Sequence, residues 1–169
     1  MKKSTILIIL FCILSLLQSC TIRYSFNSGA LSPDIKTFSV KDFQNRATIV
    51  NPSLSLDLTE GLKDKFLSQT RLELVEDNGD LMFEGDITGY NSSPVNIQGN
   101  ETAAQNRLTI TVKVKFTNNI DPDQNFEQTF SAYEDYSNSQ SLDQVESSLV
   151  PDILEKLTDD IFNKSVANW

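Results

Sequence analysis

Residues 108–116 alternate without a fault. Leu108, Ile110, Val112, Val114 and Phe116 share one side, and Thr109, Thr111, Lys113 and Lys115 share the other. A period of two marks a strand with one buried and one wet face. Residues 81–90 alternate in the same way. Leu81, Phe83 and Ile87, with Gly85 and Gly89 in their row, oppose Met82, Glu84, Asp86, Thr88 and Tyr90. Residues 37–43 alternate as well, but Phe43 is out of step with Phe38 and Val40, which predicts a strand that bends near its end. Residues 72–76 and 126–133 predict two further strands. Between 72–76 and 81–90, Asp77-Asn78-Gly79-Asp80 predicts a hairpin turn, because Asn-Gly accepts positive φ. The polar stretch 91–106, with Pro94 and Gly99, predicts a long connection, and Asp121-Pro122 marks a turn within 118–124.

Two segments carry the helical period instead. After Asn51-Pro52, a good helix start, Leu54, Leu58, Leu62, Phe66 and Leu67 mark one face as far as about Ser68. Gly61 in the middle of that helix costs about 1 kcal/mol relative to Ala. It either permits a close backbone approach or is simply tolerated. Near the C-terminus, Ser141-Leu142-Asp143-Gln144 fits a capping box, and Leu142, Val145, Leu149, Ile153, Leu157 and Ile161 recur at steps of three or four. Pro151 interrupts this row and predicts a kink or a split. One sheet with a single apolar face and two striped helices predict an α+β fold. It is a two-layer sandwich, with a mixed or antiparallel sheet of four to five strands and both helices packed on one side. The other side of the sheet stays polar.

The N-terminus carries a different signal. Lys2 and Lys3 precede the uncharged, apolar stretch 4–19, which ends in Leu17-Gln18-Ser19-Cys20. That order reads as a bacterial lipoprotein signal, too short in its apolar run for a membrane span of ~20 residues. Residues 1–19 are therefore expected to be a signal peptide, 20–36 a linker lipidated at Cys20, and 37–169 the folded domain. Cys12 lies in the signal, so the mature chain would hold no disulfide of its own. Several acyl chains on Cys20 would hold the domain to a membrane. The residues after Cys20, Thr21-Ile22-Arg23-Tyr24, include no Asp, which by sorting analogy predicts the periplasmic side of a Gram-negative outer membrane.

Charge and composition narrow the chemistry. The chain carries a formal charge of −9, and removal of Lys2 and Lys3 leaves 12 basic against 23 acidic residues. That balance disfavours nucleic acid as a partner. The chain has no histidine, which removes His-based triads, the common His-based zinc sites and the usual neutral-pH base. Its six glycines are scattered singly, so no phosphate loop is present. Glu84 and Asp86 form the one carboxylate pair on a strand face worth weighing for glycoside chemistry. The plainer reading pairs them across a hairpin with Lys115 and Lys113. Arg107, Lys113 and Lys115 share the wet face of one strand. They form either a solvated face or a stripe that meets the phosphates of a lipid headgroup. Tyr24, Tyr90, Tyr133, Tyr136 and Trp169 are aromatics with polar handles, suited to partial burial or to an interface. No metal and no cofactor other than the covalent lipid is expected.

Several stretches together resemble a known family. They are Asn45-Arg46-Ala47, Val50-Asn51-Pro52-Ser53-Leu54-Ser55, Leu58-Thr59-Glu60-Gly61-Leu62-Lys63-Asp64-Lys65-Phe66, Gly79-Asp80-Leu81-Met82-Phe83-Glu84-Gly85-Asp86-Ile87-Thr88-Gly89-Tyr90, Gln98-Gly99-Asn100-Glu101-Thr102-Ala103-Ala104 and Ile161-Phe162-Asn163-Lys164-Ser165-Val166-Ala167-Asn168-Trp169. Across nearly the whole mature chain the sequence resembles the LptE family, the lipopolysaccharide-assembly lipoproteins, in a divergent branch. The resemblance implies a non-enzymatic two-layer domain tethered to the inner leaflet of the outer membrane. It would sit as a plug in the lumen of an LptD-like barrel, assist assembly of that barrel, and bind and help deliver lipopolysaccharide. No family motif maps lipid-binding residues onto this chain, so the basic stripe rests on the strand pattern alone. Two other classes stay open from the residues. One is a periplasmic lipid-transport auxiliary lipoprotein of an ABC-type transporter, and the other is an all-carboxylate envelope hydrolase.

Overall fold

The computed structural model describes residues 31–49, 51–95 and 104–167. Strand β1 (Thr37–Val40) and strand β2 (Gln44–Asn45) precede helix α1 (Leu54–Gln69) and strand β3 (Glu73–Leu74). Two long strands follow, β4 (Leu81–Val95) and β5 (Gln105–Asn118), then β6 (Phe126–Ser137) and helix α2 (Leu142–Phe162). The six strands form one open mixed sheet in the order β3-β1-β4-β5-β6, with β2 also beside β4. Both helices lie on one face, giving the α+β two-layer sandwich that the patterning predicts, with one or two more strands.

The core is the space between the layers. Leu54, Leu58, Leu62 and Phe66 of α1 are fully buried there, as are Ile153, Leu157 and Ile161 of α2. Leu108, Ile110, Val112, Val114 and Phe116 of β5 face them, as their alternation predicts. A line of phenylalanines crosses the sheet: Phe83 stands 5.0 Å from Phe116, which stands 5.1 Å from Phe126. Phe66 of α1 joins the line, with ring centroids 5.2 Å from Phe38 and 4.8 Å from Phe83. Leu67 is the exception on α1. It lies about 100° around the helix from Phe66 and is exposed.

The bend predicted near Phe43 is real. β1 pairs in parallel with Leu81–Phe83 and β2 with Asp86–Ile87, so one edge is interrupted at residues 41–43. The interruption lets Phe43 turn into the core, where its N–H donates to Thr59 Oγ1 at 3.2 Å. Gly85 makes room for it. A Cβ there would stand 2.2 Å from the Lys113 carbonyl oxygen and 2.8 Å from Phe43 Cε1.

Four expectations need correction. First, Asp77-Asn78-Gly79-Asp80 is not a hairpin. β3 and β4 both run parallel to β1 and lie on opposite sides of it, so the connection crosses β1. Asn78 takes the positive φ (56°) that its type allows. Gly79 lies so close to β1 that a Cβ would stand 2.6 Å from the Phe38 carbonyl carbon. The Asp80 carboxylate latches the crossing by accepting the N–H groups of Lys36 (2.8 Å) and Thr37 (2.9 Å) and the Thr37 hydroxyl (3.0 Å). Second, the β4/β5 register shifts between Ile87 and Gly89. This bulge turns Tyr90 to the core side, where it is buried, although strict alternation places it outward. Third, β4 and β5 extend to Val95 and from Gln105, so the long connection is shorter than the composition suggests; residues 96–103 lie outside the described residues. Fourth, α2 is not split at Pro151. Pro151 is on the exposed side, while the buried stripe continues above and below it and holds both halves to the sheet.

Candidate functional site: the open face of the sheet

The strand period that buries one row of β5 places its other row on the uncovered side of the sheet. Arg107, Lys113 and Lys115 all point there, as do Glu84 and Asp86 of β4 and Glu127 and Asp135 of β6. The register sets Glu84 opposite Lys115 and Asp86 opposite Lys113, as the hairpin reading requires.

Charges along this face are matched. Glu84 accepts from Lys115 at 2.6 Å and from Lys41 at 3.2 Å, and these two partners hold its carboxyl below the usual range. Lys113 turns the other way and pairs with Glu127, which raises the amine and lowers the acid. Asp86 accepts from Arg46 at 2.7 Å. Arg107 makes a two-pronged bond to Asp135, at 2.7 and 2.9 Å, and lies 3.6 Å over the Tyr133 ring. That bond depresses the Asp135 carboxyl. Lys113 and Lys115 keep about half their side-chain surface exposed, 51% and 55%. At such exposure water and salt screen the attraction, so each pair contributes little to stability. These pairs are therefore weak fasteners whose cations remain accessible.

The strand brings Lys113 and Lys115 together but leaves Arg107 about 20 Å away, at ~3.4 Å per residue. Lys41 takes its place: Lys41, Lys113 and Lys115 ring a shallow polar pocket of about 400 Å³ with Asp42, Glu84 and Glu127. Sequence reasoning missed Lys41 and Arg46. No local signal marked them, because both sit on the broken edge that only the pairing of β1 and β2 with β4 creates. Glu84 and Asp86 do not stand as a free carboxylate pair, since each has a basic partner. Among the aromatics, Tyr90 and Tyr136 are buried, and Tyr133 is 47% exposed beneath Arg107. Cys20, Tyr24 and Trp169 lie outside the described residues. Among the described residues no group of three or more acidic, His or Cys side chains could hold a metal ion. No helix among them is long and apolar enough to cross a membrane.

A family model described as LptE, lipopolysaccharide-assembly, matches residues 35–165, which takes in every strand and both helices. The chain belongs to the LptE family. No curated protein matches it by sequence. Three solved structures carry the same fold as this LptE-family chain. A hypothetical protein from Chlamydia trachomatis has a TM-score of 0.54 at 9% identity, over 79% of this chain and 99% of that one. A protein from Xanthomonas campestris has a TM-score of 0.53 at 10% identity, over 82% and 90%. The rare lipoprotein B of Shewanella oneidensis has a TM-score of 0.52 at 11% identity, over 76% and 92%.

Proposed function

We propose that this chain is a non-enzymatic outer-membrane lipoprotein, anchored through Cys20 on the periplasmic side. In this reading it occupies the lumen of an LptD-like barrel and supports lipopolysaccharide insertion. The family match over residues 35–165 carries the reading. The Leu17-Gln18-Ser19-Cys20 signal supports the anchor. The charge-matched open face of the sheet supports the location, because the lumen of a large barrel is polar and a hydrated, ion-paired surface loses little on entering it.

Lys113 and Lys115, with Arg107 further along β5, are the proposed headgroup contacts. Each holds a carboxylate, Lys113 and Lys115 through half-exposed bonds and Arg107 through a part-buried one, and a phosphate oxygen is an equally good acceptor for the same ammonium or guanidinium. Contact would therefore be an exchange of partners.

Affinity purification of the tagged full-length protein from outer membranes in mild detergent, followed by mass spectrometry, tests the assembly. A stoichiometric LptD-like barrel is expected, and Cys20→Ala should mislocalise the protein without abolishing that pairing. Recovery with inner-membrane transporter subunits, or with no barrel, would overturn the reading. For the headgroup contacts, Lys113→Glu with Lys115→Glu should weaken binding of purified lipopolysaccharide while the melting temperature stays nearly constant. Unchanged binding would remove the stripe from the proposal.

A further inference from the structure

Two residues that disfavour helices line the same groove between the two helices. Gly61 sits in the middle of α1 and Pro151 in the middle of α2, at intrinsic penalties of about 1 and about 3 kcal/mol relative to Ala. Packing between the helices does not demand the glycine. A Cβ at Gly61 would meet nothing nearer than Thr158 Cγ2, at 3.6 Å, which is ordinary contact. Both residues line one groove of about 700 Å³ between α1 and α2. Val150 and Leu154, both buried, form its floor, and Gly61 and the exposed Pro151 flank them. Its rim is acidic: Asp57, Glu60 and Asp64 come from α1, and Glu155 and Asp159 from α2. Lys65 is the one basic residue lining it and is paired with Asp159, and Glu60 is bound to Lys63 at 2.9 Å. Asp57, Asp64 and Glu155 have no basic partner among the described residues. This contrasts with the open face of the sheet, where the strand carboxylates are matched.

We propose that this groove docks a cationic polypeptide segment, with Lys or Arg side chains against the rim and a small apolar side chain over Gly61. Charge decides the occupant. Three unmatched carboxylates on a chain of net charge −9 repel an acidic segment or a second copy of the same surface. The floor offers Val150 and Leu154 to apolar atoms, and the carboxylates around it, which would lose water under a broad hydrophobic partner, disfavour one. The inference goes beyond the function proposed above. It concerns the opposite layer of the domain and does not require the occupant to belong to a barrel.

Binding of a fluorescein-labelled peptide of six lysines around one leucine to the full-length protein in neutral detergent tests it. The wild type should bind, more weakly as salt rises. The triple variant Asp57→Asn, Asp64→Asn and Glu155→Gln should bind about tenfold more weakly, each lost rim pair contributing a factor of a few. A control triple on exposed acids elsewhere, Glu76→Gln, Asp77→Asn and Asp123→Asn, should change binding less than about twofold. Gly61→Leu should weaken binding about as much as the rim triple, and Gly61→Ala, whose Cβ meets only ordinary contact with Thr158 Cγ2 at 3.6 Å, should not lower the melting temperature, since it removes a helix-interior glycine. Absence of wild-type binding would overturn the proposal. So would an equal effect of the control triple, or binding unaffected by Gly61→Leu.

Discussion

The two faces of the sheet are built from the same strands in opposite ways. On the helix side, β4, β5 and β6 present Phe83, Phe116 and Phe126, whose rings stand 5.0 and 5.1 Å apart. One residue away in each strand, Glu84, Lys115 and Glu127 face solvent. The first row excludes water and contributes in proportion to buried area. The second is hydrated, and its ion pairs contribute little. Stability is therefore concentrated on one face, and the other is free to be shaped by what it touches.

If that division is right, equal changes on the two faces have unequal consequences. Phe66→Ala removes the ring that joins Phe38, Phe83 and Phe162 under α1. Loss of about 3–5 kcal/mol of unfolding free energy is expected in a denaturant titration. Gly85→Ala also acts from the helix side, by pushing Phe43 and the Lys113 carbonyl apart. It should lose about 1–3 kcal/mol, read as a lower denaturant midpoint, and an unchanged midpoint would show that the β1–β2 interruption relaxes freely.

Asp80 lies between these extremes, because its bonds are polar but tie the crossing loop to β1. Its carboxyl is held below the ordinary range by the N–H groups of Lys36 and Thr37. A depressed folded value means that the stabilising contribution is complete above the unfolded value and lost as pH falls through the folded one. Stability should therefore decline below about pH 4, near the unfolded carboxylate value. Asp80→Asn should flatten that acid limb and lower stability at neutral pH by about 1–3 kcal/mol. The smallest effect belongs to the open face. Lys113→Gln with Lys115→Gln should leave the melting temperature nearly unchanged, because solvent screens both pairs. A larger fall in melting temperature would erase the distinction between the faces.

The division was largely legible in the residues. The unbroken alternation of β5 marks both of its faces, and the four-residue leucine step of α1 marks its buried stripe. Non-local features were hidden. Asn78-Gly79 reads as a hairpin because turn chemistry is local, whereas β1 inserts between β3 and β4 from 40 residues away. The bulge at Thr88 shifts Tyr90 to the core and has no strong local signature. There its hydroxyl bonds Glu146 of α2, a contact across 56 residues. At the open face, the cations of β5 could be read from alternation. The β6 acids that hold Arg107 and Lys113, and the cations Lys41 and Arg46 on the broken edge, depended on pairing with distant strands.

A photo-reactive residue in place of Thr129 tests most directly whether the open face is the functional one, since Thr129 is exposed there beside Lys113. In intact cells it should cross-link to an LptD-like barrel. Cross-links to inner-membrane transporter subunits, or to no barrel at all, would contradict the assignment of that face to the barrel lumen.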